Sequence, residues 1–427
     1  MGVKHRFSYF LIIELIFGIA FIEFLSIPGL YRQFANNNIL DIDSAQSLEL
    51  GHVNTPGKAN YVFIEDNTAY VADLEGGLRI IDVSNPNTCV EIGFNVTSGA
   101  AWDVHVQGKI AYVAANDSGL ICIDVNDPTD NFILGSLYTS GDAQSVFVKN
   151  DIAYVAAWNA GLRCINISDP ENPVEEGFFD TDGSANWVYI VGNIAYIADW
   201  GDGLVCVNVT DHTNPQKLGS YQFSNDAKKV FVLDNIAYVT AGLRAYLIDV
   251  EDPNNLKLIN DVFILGSTQG VHVKGDLCCV TAWDWDAYFY DITNLADIEE
   301  IGTESIMGFC TDVWIEDQIA YITAWEHGLR IFNISTYFDQ IEPGDNNGNG
   351  GWNWDKIWKI GMYIAIGIIG LFVISTIIVG LYQNSAKMRP KIQGFTQRVK
   401  RGFKDIKSSI KAKISATRLK KERKKRI

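Results

Sequence analysis

Four tryptophans recur at one place in this chain. Trp158, Trp200, Trp283 and Trp325 each follow by four residues a slot held by Tyr154, Tyr196, Cys279 and Tyr321. Trp285 stands just beyond Trp283, and Trp102 and Trp187 begin two of the strands described below. Carboxylates accompany them: Asp202, Asp284, Asp286 and Glu326 each lie within two residues of one of these indoles. Exposed aromatic faces beside carboxylates suit sugar rings, through stacking and hydroxyl hydrogen bonds, and equally suit cationic peptides or proteins. A second reading of the same tryptophans is packing, because a buried indole seals a gap between repeated units with large apolar area.

Other chemistry is harder to find. No nucleophile stands with a base at a recognisable spacing, and there is no phosphate-binding loop or dinucleotide fingerprint. The chain therefore reads as a binding protein and not an enzyme, with no cofactor. The enzyme class weighed against this is a carbohydrate hydrolase or lyase using carboxylates on the tryptophan face, since glycoside hydrolysis needs two carboxyls at a fixed separation. A deep central pocket with such a pair, one of raised pKa, marks the enzyme, and a broad aromatic face marks binding. A structural surface-layer component is a third reading. His105 and His272 share a position that elsewhere holds Phe63, Phe147, Tyr189, Phe231 and Trp314, so they fill an aromatic slot and no metal site is expected. Cys122, Cys164 and Cys206 recur at one position, as small buried apolar residues would. Asp82, Asp124, Asn166, Asn208, Asp249, Asp291 and Asn333 also recur. Seven copies exclude a catalytic carboxylate and fit a cap on the following turn. Asn116 is the glycosylation acceptor best placed in a loop.

The slots repeat because the chain does. Tyr70, Tyr112, Tyr154, Tyr196, Tyr238, Cys279 and Tyr321 lie 42, 42, 42, 42, 41 and 42 residues apart. Such a period signals a propeller or solenoid. Within residues 102–139 four β-rich runs, WDVHV, IAYVAA, LICIDV and FILGSLY, alternate with Gly, Asn, Asp and Pro turns. That pattern is an antiparallel meander, and four strands per forty-odd residues is a propeller blade. The seventh repeat, from Cys310 to Ser335, supplies only three strands, and Ser47–Val53 supplies the missing outer one. The expected fold is all-β: a seven-bladed propeller over residues 47–341, closed by an N-terminal outer strand. In a meander, loops after strands two and four share one face, which places the tryptophans together. Asp73, Glu75, Asp117, Asp142, Asp182 and Asp226 fall on that face as well.

The runs GLRIIDVSNP at 77–86, GLICIDVNDP at 119–128, GLRCINISDP at 161–170, GLVCVNVTDH at 203–212 and GLRIFNIS at 328–335 resemble the LVIVD-repeat family. Blade 6 departs most, with AYFYDITN at 287–294. The resemblance implies a surface-exposed β-propeller and no particular activity.

Charge divides the chain. Residues 383–427 hold seventeen Lys or Arg against two acids, so the remainder carries −32 of the net −17. An acidic body excludes nucleic acid as a partner, because phosphate neutralisation dominates such binding. Residues 7–27 read as a transmembrane anchor or signal peptide, after a short cytoplasmic start at 1–6 and before a linker at 28–46. Residues 342–356 read as a Gly/Asn-rich linker. Residues 357–382 read as a transmembrane helix with an aromatic belt of Trp352, Trp354, Trp358 and Tyr363 at its outer end. The basic run after it places the tail in the cytoplasm and the propeller outside. In that tail Ile392, Phe395, Val399, Phe403, Ile406, Ile410 and Ile414 fall on one stripe of an amphipathic helix, suited to an anionic membrane surface, with a coiled-coil seam as the alternative use of the same spacing. The expected partners are the membrane and an extracellular glycan or protein.

Overall fold

The computed structural model describes residues 48–341, and the expected apolar segments 7–27 and 357–382, both linkers and the basic tail lie outside them. Within those bounds the chain forms seven four-stranded antiparallel sheets. Six are consecutive meanders, spanning 61–95, 103–137, 145–179, 185–221, 227–263 and 268–305. The seventh takes three strands from 312–333 and its outer strand from Glu49–Val53, which pairs with Leu329–Asn333. The ring is thus closed as the sequence led one to expect, and the outer edge of the last blade is covered. The four runs of blade 2 are strands at Asp103–Gln107, Ile110–Ala114, Leu120–Asp124 and Phe132–Leu137.

Burial explains the composition of each strand. The second and third strands, such as Ile110–Ala114 and Leu120–Asp124, are buried on both faces and carry continuous apolar runs. The outer strand meets solvent, with every residue of Phe132–Leu137 exposed or half-buried. The core is not central but divided, one apolar cluster per interface between neighbouring blades. Tyr112 and Cys122 of blade 2, for example, pack on Val146, Val155 and Ile165 of blade 3. Cys122, Cys164 and Cys206 are fully buried in three such interfaces. Burial pushes each of their thiols up to about 12, so they remain apolar filling.

The recurring Asp or Asn at the end of the third strand does one job seven times. Its Oδ1 accepts the backbone N–H two residues on, at 2.8–3.0 Å, from Ser84, Asn126, Ser168, Thr210, Glu251, Thr293 and Ser335. This is the expected Asx turn, and it redirects the chain towards the outer strand.

Blade 6 departs from the repeat for a steric reason. In other blades a Tyr of the second strand lies opposite a smaller third-strand residue, as Tyr112 lies opposite Cys122. In blade 6 Cys279 lies opposite Phe289, so large and small have changed places. The missing tyrosine returns from elsewhere. A single helical turn, Ser335–Phe338, follows the last strand, and its Tyr337 stacks on Phe289 at 4.3 Å with the rings 19° apart. The Tyr337 hydroxyl donates to Glu304 at 2.5 Å.

Candidate functional site

Isolated bridges show which loops share a face. Leu74 pairs with Ala101, Asn116 with Ala143, Trp158 with Ala185 and Trp325 with Ala59. Each joins the turn after a second strand to the segment leading into the next blade's innermost strand, so both sets of loops lie on one side of the disc. Leu74, Asn116, Trp158 and Trp325 all take a positive φ there, between 43° and 48°. The tie is made by backbone, with Trp158 N–H to Ala185 O at 3.0 Å and the reverse bond at 2.9 Å. Leucine and asparagine serve it as well as tryptophan, so blade closure does not require an indole. Asn116 is half-buried and accepts a hydrogen bond from Gln144 at 3.2 Å.

The indoles form two pairs across neighbouring blades. Trp158 meets Trp200 edge-on at 4.7 Å, and Trp283 meets Trp325 edge-on at 5.1 Å. The packing reading is therefore partly right. Trp200 is nonetheless held outward, because the Asp199 carboxylate gathers the N–H groups of Ser184, Gly201 and Asp202 at 2.8–3.0 Å and shapes its turn. Phe309 stacks on Trp283 at 5.1 Å and meets Trp285 edge-on at 6.2 Å. Single-residue spacing gave no sign of Phe309 or of its neighbours. Val96, Tyr138, Trp200, Leu243, Leu265, Trp285, Met307 and Phe309 are exposed by 36–72%. Every large apolar side chain that the described residues expose in a loop lies on this one face.

The carboxylates divide differently from expectation. Asp284 and Glu326 are exposed on the face. Asp202 is buried and paired with Lys217 at 2.6 Å, which removes it from any open surface. Asp73 is buried beneath the Thr55 hydroxyl and the Gly57 N–H. Asp286 accepts from Ser305 at 2.9 Å, and burial raises its carboxyl. These three brace loops.

At the axis the innermost strands build a channel. Phe63, His105, Phe147, Tyr189, Phe231, His272 and Trp314 form an unbroken ring, each centroid 4.6–5.1 Å from the next. The two histidines stand where aromatic rings were expected. The ring lines a cavity of about 360 Å³. Two residues nearer the tryptophan face, Lys229 crosses the channel to Asp312, eighty-three residues away in sequence. Its ammonium lies 4.4 Å from the Trp187 ring and 4.7 Å from the Tyr61 ring. Trp187 is thus committed to the channel, with Tyr61 at 5.0 Å, and is not part of the open surface. Asp103 shares this layer. It accepts from the Val104 and Val146 N–H groups at 2.8 Å each, latching blade 2 to blade 3. Burial pushes its carboxyl up to about 7 and raises that of Asp312.

One layer further out is a vestibule of about 150 Å³ opening on the tryptophan face. Asn60, Trp102, Gln144, Asn186, Lys228, Gln269 and Thr311 contribute one residue from each blade, with Trp200 at the margin. The indole N–H of Trp102 has no acceptor.

Comparison with known proteins gives a repeat and a fold. No curated protein matches the sequence. Among solved structures, the β-propeller domain of Myceliophteria thermophila Cps50 (Swd1) is similar, with a TM-score of 0.56 at 10% identity over 66% of this chain and 99% of that one. A chain of the mitotic checkpoint complex gives a TM-score of 0.59 at 9% identity, over 69% of this chain and 97% of that one. The WD40 β-propeller domain of Doa1 gives 0.56 at 10% identity, over 67% and 96%. At such identity the likeness is one of fold. The LVIVD repeat matches at 56–97, 98–139, 140–181 and 182–222, each match covering one blade. Residues 56–222 of this chain are LVIVD repeats, the first four blades of a seven-bladed β-propeller.

Proposed function

We propose that the propeller is an extracellular binding module, held at a membrane by the flanking apolar segments, that takes a protein or glycan on its tryptophan-rich face. One observation carries this reading: the exposed apolar loop residues all gather on that face. Exposed apolar side chains that cluster, as Trp285 and Phe309 do at 6.2 Å, mark an interaction site. Aromatic anchors such as Trp200, Trp285 and Phe309 are the residue types that dominate binding energy. Asp284 and Glu326 beside them add preference for a cationic partner.

The test uses the full chain and immobilised glycan and protein arrays. Trp200, Trp285 and Phe309 are exposed, so replacing all three with Ala leaves the fold in place. Capture is expected to fall at least ~10-fold, about 1.4 kcal/mol. Undiminished capture by the triple variant would refute the face.

A second reading has one observation in its favour. Asp103 and Asp312 are carboxyls at a deep central cavity, and Asp103 is raised to about 7, the mark set above for a hydrolase or lyase. Against it, the Asp103 oxygens are engaged by backbone N–H groups and Asp312 is paired with Lys229. Hydrolysis or elimination on a polysaccharide panel that disappears in Asp103→Asn would establish that reading instead.

A further inference from the structure

We infer that the vestibule at the mouth of the central channel binds the terminal neutral sugar residue of a glycan. The inference rests on the tryptophan face being the binding face, and it names the ligand class and the place. The repeat itself is an internal control. Positions that serve the fold are alike from blade to blade, as the Asx slot and the aromatic ring show. The vestibule position is polar or aromatic in every blade but differs among them, with four carboxamides, one lysine, one threonine and one tryptophan.

The hydrogen bonding at this position is half used. The Asn60 amide donates to Trp102 O at 2.7 Å, and the Asn186 amide donates to Lys228 O at 2.5 Å. Gln144 donates to Asn116, and Gln269 donates to Ser267 O at 3.2 Å. Each amide nitrogen is tied to protein, which leaves the amide oxygens as acceptors in the vestibule. Lys228 adds a donor: its ammonium reaches Ser267 at 3.0 Å and forms no ion pair among the described residues. Burial lowers its pKa. Trp200 offers an open ring at the margin. Acceptors, one donor and an aromatic face match the hydroxyls and C–H face of a sugar.

Size and charge narrow the ligand. A space of about 150 Å³ suits a single small ring and is at the low end for a ligand site, which ordinarily holds ~300–1,000 Å³. The floor is closed by Lys229 with Asp312, Tyr61 and Trp187, so a chain cannot thread through. Asp142, Asp182 and Asp226 are exposed in the loops that approach the mouth and oppose a carboxylated sugar.

Ligand-observed NMR and calorimetry on the full chain, with methyl glucoside, galactoside and mannoside and with methyl glucuronide, test this. At least one neutral glycoside is expected to bind with Kd on the order of 1–10 mM, the range open to a dozen heavy atoms. Lys228→Met and Asn186→Leu are each expected to weaken it by ~10-fold or more, with an unchanged melting temperature as the control. Phe132→Ala, on the exposed outer strand of blade 2 and outside the tryptophan face, is expected to leave it unaltered. Saturation by none of the neutral glycosides, equal binding by both vestibule variants, or preference for the glucuronide would overturn the assignment. Array capture that persists while the glycosides fail removes the vestibule site and leaves the face standing. Loss of both removes both.

Discussion

Histidine and phenylalanine are close in shape at the channel's aromatic slot, but only one of them titrates. Burial holds His105 down at about 4 and, with Lys229 and Lys274 nearby, His272 at about 3. A histidine whose folded pKa lies below its ordinary 6.5 contributes stability that is complete above about pH 6.5 and is lost as pH falls towards the folded value. Asp103, raised to about 7, acts in the opposite sense across the same range, so the variant must be compared with the parent at each pH. His105→Phe is expected to keep its urea midpoint at pH 7 and to lose less stability than the parent between pH 6.5 and 4. An identical decline in both would show that His105 is not neutral in the folded ring. His272→Phe differs, because His272 Nδ1 accepts the Ile315 N–H at 3.3 Å. Phenylalanine strands that buried donor, and a loss of about 1–3 kcal/mol at pH 7 is expected.

The blade is an element with a fixed ration of ring volume, and blade 6 meets it with a residue from outside its own sheet. Tyr337→Ala removes the ring that covers Phe289, and chemical denaturation should show a loss of about 2–4 kcal/mol, as for other large-to-small changes at buried sites. A loss below ~0.5 kcal/mol, ordinary for a surface substitution, would show that the helical turn merely rests on the sheet. The sequence showed Cys279 in the tyrosine slot and AYFYDITN as the most divergent run, but that Phe289 compensates Cys279 is visible only when their pairing is known. The blades were legible because the 42-residue period, the Asx slot and the aromatic slot each repeat and each report one local requirement. The Lys229–Asp312 pair was not legible, because it spans two repeats and has no counterpart in other blades. Leu243, Leu265, Met307 and Phe309 were not legible for a similar reason. Loop hydrophobics carry no period, and only the closed ring brings them to one side. The tryptophans were found by their spacing, but spacing could not tell Trp200, which is open, from Trp187, which lies under Lys229.

For the whole molecule, the charge division and the two apolar segments make a topological claim that the cysteines help to test. Six of the seven are buried and only Cys89 is partly accessible, so background thiol labelling is low. Leu243→Cys, exposed on the tryptophan face, is expected to react with a membrane-impermeant maleimide on intact cells. Ser415→Cys, in the basic tail, is expected to react only after lysis. The reverse pattern would invert the orientation. The closing strand has a further consequence, a mechanical one. Leu48 O accepts the Asn333 N–H at 2.8 Å, and Glu49–Val53 runs antiparallel to Leu329–Asn333. Tension drawn through Leu48 and through the chain after Asn333 therefore pulls on the same end of one ladder. It opens the rungs in succession and does not shear them together. Tyr337, seated on blade 6, takes the first load, the outer strand of blade 7 takes the next, and blades 1 to 5 bear none until that strand has peeled away.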